Sequence, residues 1–265
     1  MFKQRLLTTL ILIPLVLIGI YYGNHLLLRT IIFLLVLGCS LEWLQLIPAS
    51  EIFAKTIFII GLVILFFLIP FIYFYWLCLG LITWGFIFVL IQQYPRLQKL
   101  WAYPSVVTFF GLLLLPLFGQ SLMSIFAMNK GRSLIVYLLF LVWAADIGAY
   151  LMGKFYGRHK LIPQVSPGKT IEGFIGGFVL ALLVAIVGYY LFQPAHVANW
   201  FIIAMGIILV ALFGDLFISM LKRRRQIKDT GYLLPGHGGL LDRLDSLIAA
   251  VPFFYCGMRF FAPGI

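Results

Sequence analysis

Apolar stretches of about 20 residues, the length needed to cross hydrocarbon, recur along this chain from one end to the other. No charge-rich segment between them is long enough to make a separate soluble domain. The composition agrees: 63% of the 265 residues are apolar and 10% are charged, against about 25% charged in a soluble domain. Unpaired backbone groups are too costly in lipid for anything but a helix or a closed barrel to span it, and these runs are continuous rather than alternating. The expected fold is therefore all-α, a polytopic transmembrane helical bundle forming a single integral membrane domain over residues 1–265.

Breaks at polar, Pro and Gly residues predict about nine spans, near 6–22, 26–47, 55–69, 71–91, 103–123, 134–153, 174–192, 200–221 and 243–262. The third and fourth meet at Leu68-Ile69-Pro70-Phe71 without an intervening charge, as a kinked or re-entrant pair would. The opening MFKQRLLTTLILIPLVLIGIYYGN has the basic start of a secretory signal, but its run ends in Tyr21, Tyr22 and Gly23 rather than a small-residue cleavage site. It reads as a first spanning helix. With the N-terminus in the cytosol, all but Arg29, Lys130, Arg132 and Arg259 of the 19 Lys and Arg residues fall on the cytoplasmic side, as the positive-inside rule requires. The net charge of +11 then reflects topology and attraction to anionic lipid, and offers a surface for phosphates. Cys39, Cys78 and Cys256 lie far apart inside apolar runs, which suggests packing rather than a disulfide or zinc site.

Of the eight acidic residues, Asp146, Glu172, Asp215, Asp229, Asp242 and Asp245 lie within 143–245, at or beside expected cytoplasmic ends of spans. A carboxylate in such a place faces a wet cavity, a partner or an ion. Asp146, Tyr150 and Gly153 share one helical face. The loop beyond carries Lys154, Arg158, Lys160 and Lys169 around the turn-forming Ser166-Pro167-Gly168, a composition able to wrap a polyphosphate. Asp215, Ser219 and Lys222 are spaced i, i+4, i+7 along one face; a plain Asp–Lys salt bridge would also explain them. The Arg223-Arg224-Arg225 run, taken alone, reads as a helix-end anchor against lipid phosphates. A glycine-rich loop containing His237 then leads into a helix opening with Asp242 and Asp245. Two acids in a first turn suit the helix dipole. At i, i+3 they can also share a divalent cation with phosphate oxygens, with Asp215 completing the site. Phosphoryl or nucleotidyl transfer to a lipid substrate fits these parts best.

Residues 219–245, SMLKRRRQIKDTGYLLPGHGGLLDRLD, resemble the signature of the phosphatidate cytidylyltransferase family. The likeness extends to Asp146-Ile-Gly-Ala-Tyr150, Ser166-Pro-Gly-Lys-Thr170, Glu172-Gly173 and Gly214-Asp215, and faintly to KQRLLTTLILIP. Membership would imply transfer of a cytidylyl group from CTP to phosphatidate with a divalent cation, Mg²⁺, on the cytoplasmic side of a bacterial inner membrane, by a multi-span homodimer. No nucleic-acid partner is expected. On this reading Asp215, Asp242 and Asp245 are metal ligands, and these three with Lys222 and Asp146 are the catalytic set. Lys169, Ser166, Ser219, Arg223, His237 and Arg243 are substrate contacts. A CDP-alcohol phosphatidyltransferase would need a compact run of aspartates that is not found here. An ion-coupled transporter would need midplane charges and a repeated pair of broken helices.

Overall fold

The computed structural model describes residues 13–47, 52–233 and 238–262. Among these, seven helices are long and apolar enough to cross a membrane. In chain order the elements are a short helix α1 (Ile13–Tyr22), α2 (His25–Trp43), α3 (Ile52–Gln92), α4 (Gln98–Trp101), α5 (Pro104–Phe126) and α6 (Gly131–Tyr156). A hairpin of β1 (Lys160–Ile162) and β2 (Ser166–Thr170) follows, then α7 (Ile171–Phe192), α8 (Val197–Arg225) and α9 (Leu241–Cys256), which continues into a π-helical turn (Gly257–Phe261). The expected all-α membrane bundle is thus observed. The first expected span lies partly outside the described residues, which show it from Ile13 onward.

The 41 residues of α3 would measure about 60 Å if straight, roughly twice the hydrocarbon thickness. They are bent at Ile72 (φ −126°, ψ 22°), just after Pro70, and the contacts show that the chain doubles back. The first limb starts where Ala54 and Lys55 line a small cavity with Pro104, Ser105 and Thr108 at the start of α5. It rises to Phe66, opposite Gln120. Past the bend Tyr73 still stands level with Ser121, 2.9 Å away, but Trp84 has returned to Phe217, which also packs against Phe110 and Trp43. The limbs correspond to the third and fourth predicted spans.

Pro70 explains the bend and how it is tolerated. Lacking an N–H, it leaves the Phe66 carbonyl without its helical donor, and Gln120 supplies one through Nε2 at 2.7 Å. A buried amide and a buried carbonyl, each costly alone in lipid, satisfy one another across two spans.

The second half of the chain is built on close approach. A Cβ on Gly148 would run into the Gly176 carbonyl, and one on Gly177 would stand 2.5 Å from Ala145 O, so α6 and α7 pack backbone to backbone in the small-residue manner of membrane helices. The ends of α2, α6 and α8 and the starts of α5, α7 and α9 therefore gather at one end of the bundle. Among the described residues, the motif residues of α6, β2, α8 and α9 lie there.

Two local expectations are corrected. Ser166-Pro167-Gly168 forms a strand, with Lys160 opposite Thr170 and Ile162 opposite Ser166, and the turn falls at 163–165. A proline is permitted because a two-stranded hairpin has open edges. The arginine run is a clamp rather than only a lipid anchor. Arg223 Nε donates to Val165 O at 3.2 Å, Arg225 Nε to Gln45 O at 3.0 Å, and Arg224 lies over Trp101. It thereby ties the end of α8 to the hairpin, to the segment after α2 and to α4.

Candidate active site

The hairpin is held over the helix ends by its own base. Glu172 accepts from the backbone N–H groups of Arg158 (3.1 Å) and His159 (3.2 Å) and pairs with His159 Nδ1 at 2.6 Å, while Thr170 Oγ1 caps α7 by accepting from Gly173 N at 3.1 Å. Val165, the last residue of the turn, is buried. Strand β2 is thereby aimed so that Lys169 forms an ion pair with Asp215 of α8.

Asp215 also accepts from Ser219 Oγ at 3.2 Å, one turn along the same helix, as the i, i+4 spacing implied. The third member of that face behaves otherwise. Lys222 does not close onto Asp215 but reaches α9, where its Nζ lies 2.6 Å from Asp242 Oδ1. The other oxygen of Asp242 accepts from Thr230 N (2.7 Å), Thr230 Oγ1 (3.0 Å) and Gly239 N (3.3 Å). Asp242 thus organises the loop before α9 as well as pairing with a lysine.

Asp245 is buried, with Oδ1 accepting from Ser246 N at 2.7 Å. It lies within electrostatic reach of Asp215, Lys222 and Lys169. Asp146, exposed on α6, lies within electrostatic reach of Lys169, Asp215 and Arg243. The structure therefore brings Asp146, Lys169, Asp215, Ser219, Lys222, Asp242, Arg243 and Asp245 to one end of the bundle. Arg223 sits at its edge through the hairpin, and Ser166 lies at the far end of β2 from Thr170. His237 falls outside the described residues.

One residue escaped the sequence reading. Glu42, at the end of α2, is 3% exposed and accepts from Leu240 N (3.0 Å), Leu241 N (2.7 Å) and Thr230 Oγ1 (3.2 Å). An acid in an apolar run is a signal in its own right, but LEWLQL carries no neighbouring motif to draw attention to it.

Among the described residues no three His, Cys, Asp or Glu side chains stand together as a ready metal cage. The donor chemistry nevertheless suits a hard cation. Asp215 and Asp245 are brought close because Gly214 lies against the α9 backbone. Such an acid pair is relieved by a proton or by positive charge beside it, and carboxylate oxygens are what Mg²⁺ takes. In the described arrangement Lys169 and Lys222 provide that charge.

Carboxylates interleaved with lysines, at one end of an apolar helical bundle and beneath a basic hairpin, are the grouping expected of a membrane enzyme that handles anionic groups. Comparison with known proteins specifies it further. The chain matches the sequence model of the Cytidylyltransferase family over residues 3–261 and belongs to that family. It is 36% identical to the phosphatidate cytidylyltransferase of Pseudomonas aeruginosa over 96% of both chains. It is 38% identical to that of Haemophilus influenzae, an alignment spanning 64% of each. With that of Staphylococcus aureus it shares 46% identity over 127 residues, about half of either chain.

Proposed function

We propose that this chain transfers the cytidylyl group of CTP to phosphatidate, yielding CDP-diacylglycerol and pyrophosphate. The observation that carries this reading is the crossed pairing of Lys169 with Asp215 and Lys222 with Asp242, at the bundle end where lipid and aqueous substrates meet. A phosphate oxygen of phosphatidate forms a bond to the α-phosphorus of CTP. The bond from that phosphorus to the bridging oxygen breaks, and pyrophosphate leaves with the electron pair. A phosphate monoester is largely ionised near neutral pH, so no strong general base is required.

The protein's part is positioning and charge neutralisation. Lys169 and Lys222 exchange their carboxylates for phosphate oxygens, and Arg223 and Arg243 add charge at the rim. Ser166, Ser219 and His237 contribute contacts, and Asp146 supports the cluster from α6. A Mg²⁺ ion held by Asp215, Asp242 and Asp245 would supply Lewis-acid neutralisation of the phosphates. The positive-inside rule places the basic site end in the cytosol, at a bacterial inner membrane. A homodimer is part of this proposal.

The direct test is conversion of phosphatidate and labelled CTP by the purified, detergent-solubilised protein, with and without Mg²⁺. Metal-dependent CDP-diacylglycerol is expected. Absence of product from folded protein, across lipid chains and metals, overturns the assignment. In the same assay Lys222→Ala is expected to lower kcat/KM for CTP by about 10- to 100-fold, the worth of one charge-assisted contact. An unchanged value would remove Lys222 from the phosphate-binding set.

A further inference from the structure

The geometry points to Glu42, nearly 200 residues from the catalytic motif in sequence, as a positioning residue that sets the direction of the catalytic face of α9. This inference rests on the functional reading above. Helix α9 opens on Leu240 and Leu241 and has no side-chain cap of its own at Leu240. Its first N–H groups need acceptors. Glu42 supplies them across the bundle: Oε1 takes Leu240 N at 3.0 Å and Oε2 takes Leu241 N at 2.7 Å. These bonds fix the backbone immediately before Asp242, and Asp245 follows within one turn.

Glu42 is also linked to Asp242 through a single hydroxyl. Thr230, fully buried, has its Oγ1 3.2 Å from Glu42 Oε2 and 3.0 Å from Asp242 Oδ2. Gly239 closes the arrangement. A Cβ there would stand 2.6 Å from Glu42 Oε2 and 2.9 Å from Asp242 Oδ2, so the loop can approach the two acids only as glycine. The carboxylate of an N-terminal helix thus sets the position of a C-terminal one through one threonine and two amides.

Glutamate is specifically suited to this. A carboxylate is acceptor-only and here meets two backbone N–H donors and a hydroxyl whose one proton it shares with Asp242. Glutamine would turn an NH₂ group toward at least one backbone N–H, leaving two donors facing each other in a buried place. Aspartate would fall short by about one carbon–carbon bond of the reach.

The experiment compares Glu42→Gln, Glu42→Asp and Thr230→Val with the wild type, all purified in detergent, in two readouts. Steady-state turnover is expected to show kcat lower by about 100-fold in Glu42→Gln, the effect of an ångström-scale misplacement. KM for CTP and for phosphatidate should change little, because Lys169, Lys222 and the arginines are retained. Thr230→Val keeps the backbone N–H and removes only the shared hydroxyl, so a smaller kcat loss with the same unchanged KM is expected. Backbone hydrogen exchange is expected to accelerate at Leu240 and Leu241 in Glu42→Gln, while α6 and α7 keep wild-type protection.

Wild-type kcat in Glu42→Gln overturns the proposal, as does wild-type protection at Leu240 and Leu241. A loss of kcat in strict proportion to the folded fraction, with exchange raised uniformly across the bundle, overturns it in favour of a general structural role. If Glu42→Gln does not fold, Thr230→Val decides alone: unchanged kcat rejects the link and a kcat-only loss supports it. Should the wild type itself fail to turn over CTP and phosphatidate, the functional reading fails instead. The exchange data at Leu240 and Leu241 still judge the positioning.

Discussion

Asp215→Asn is expected to reduce CDP-diacylglycerol formation by about 1,000-fold, in the range for loss of one preorganised electrostatic group, with the bundle still folded. Asparagine has the shape of aspartate and can still accept from Ser219 Oγ, so the end of α8 keeps its local bond. What disappears is the charge that holds Lys169 and stands beside Asp245. Lys169 then loses its anchor, and the acid pair suited to a divalent cation becomes a single acid. The loss should lie mainly in kcat, with a melting temperature in detergent close to wild type, because the ion pair is partly open to solvent and contributes little to stability. Asp242→Asn should be comparably inactive, with an added disturbance of the loop because Thr230 and Gly239 also depend on that carboxylate. Near-wild-type turnover in both purified variants would reject the assignment of these acids to charge stabilisation.

The acids proposed to carry the reaction stood out in the sequence because each is chemically expensive where it stands. Asp146, Asp215 and Asp245 sit in or beside apolar runs, and only a wet site or a partner makes that tolerable. The long helices among the described residues were legible as continuous apolar runs, and the bend near Pro70 follows from one missing N–H. Partner choice was not legible. The spacing of Asp215 and Lys222 fits a bond along one helix, yet Lys222 belongs to Asp242 and Asp215 to Lys169, because interhelical distance rather than periodicity decides. Ser166-Pro167-Gly168 has the composition of a turn, but pairing with Lys160–Ile162 outweighs that local preference. Glu42 was missed although the rule that exposed Asp215 applies to it equally. Its function is visible only once α2 lies beside the start of α9, a contact between segments almost 200 residues apart.

The same dependence on interhelical distance makes Gly214→Ala the sharpest test of how the fold sets the chemistry. A Cβ at Gly214 would stand 2.5 Å from the carbonyl oxygen of Asp245, 2.9 Å from Ala249 Cβ and 3.2 Å from Ser246 Cα. None of these is the end of a flexible side chain, so α8 and α9 must separate or rotate. Overpacking of this kind costs about 1–3 kcal/mol, and a lowered melting temperature is expected. The larger consequence is chemical: Asp215, next in sequence, moves away from Asp245, and a shift of about 1 Å is enough for a fall of about 100-fold in kcat. Gly206→Ala on the same helix supplies the control. Nothing lies within 4 Å of its Cβ, and alanine favours a helix over glycine, so activity should be unchanged and the melting temperature equal or slightly higher. If Gly214→Ala matches this control in both turnover and melting, the approach of α8 to α9 does not set the spacing of the acids. If it loses turnover by far more than its lost stability explains, the contact that packs the two helices is also the one that assembles the site.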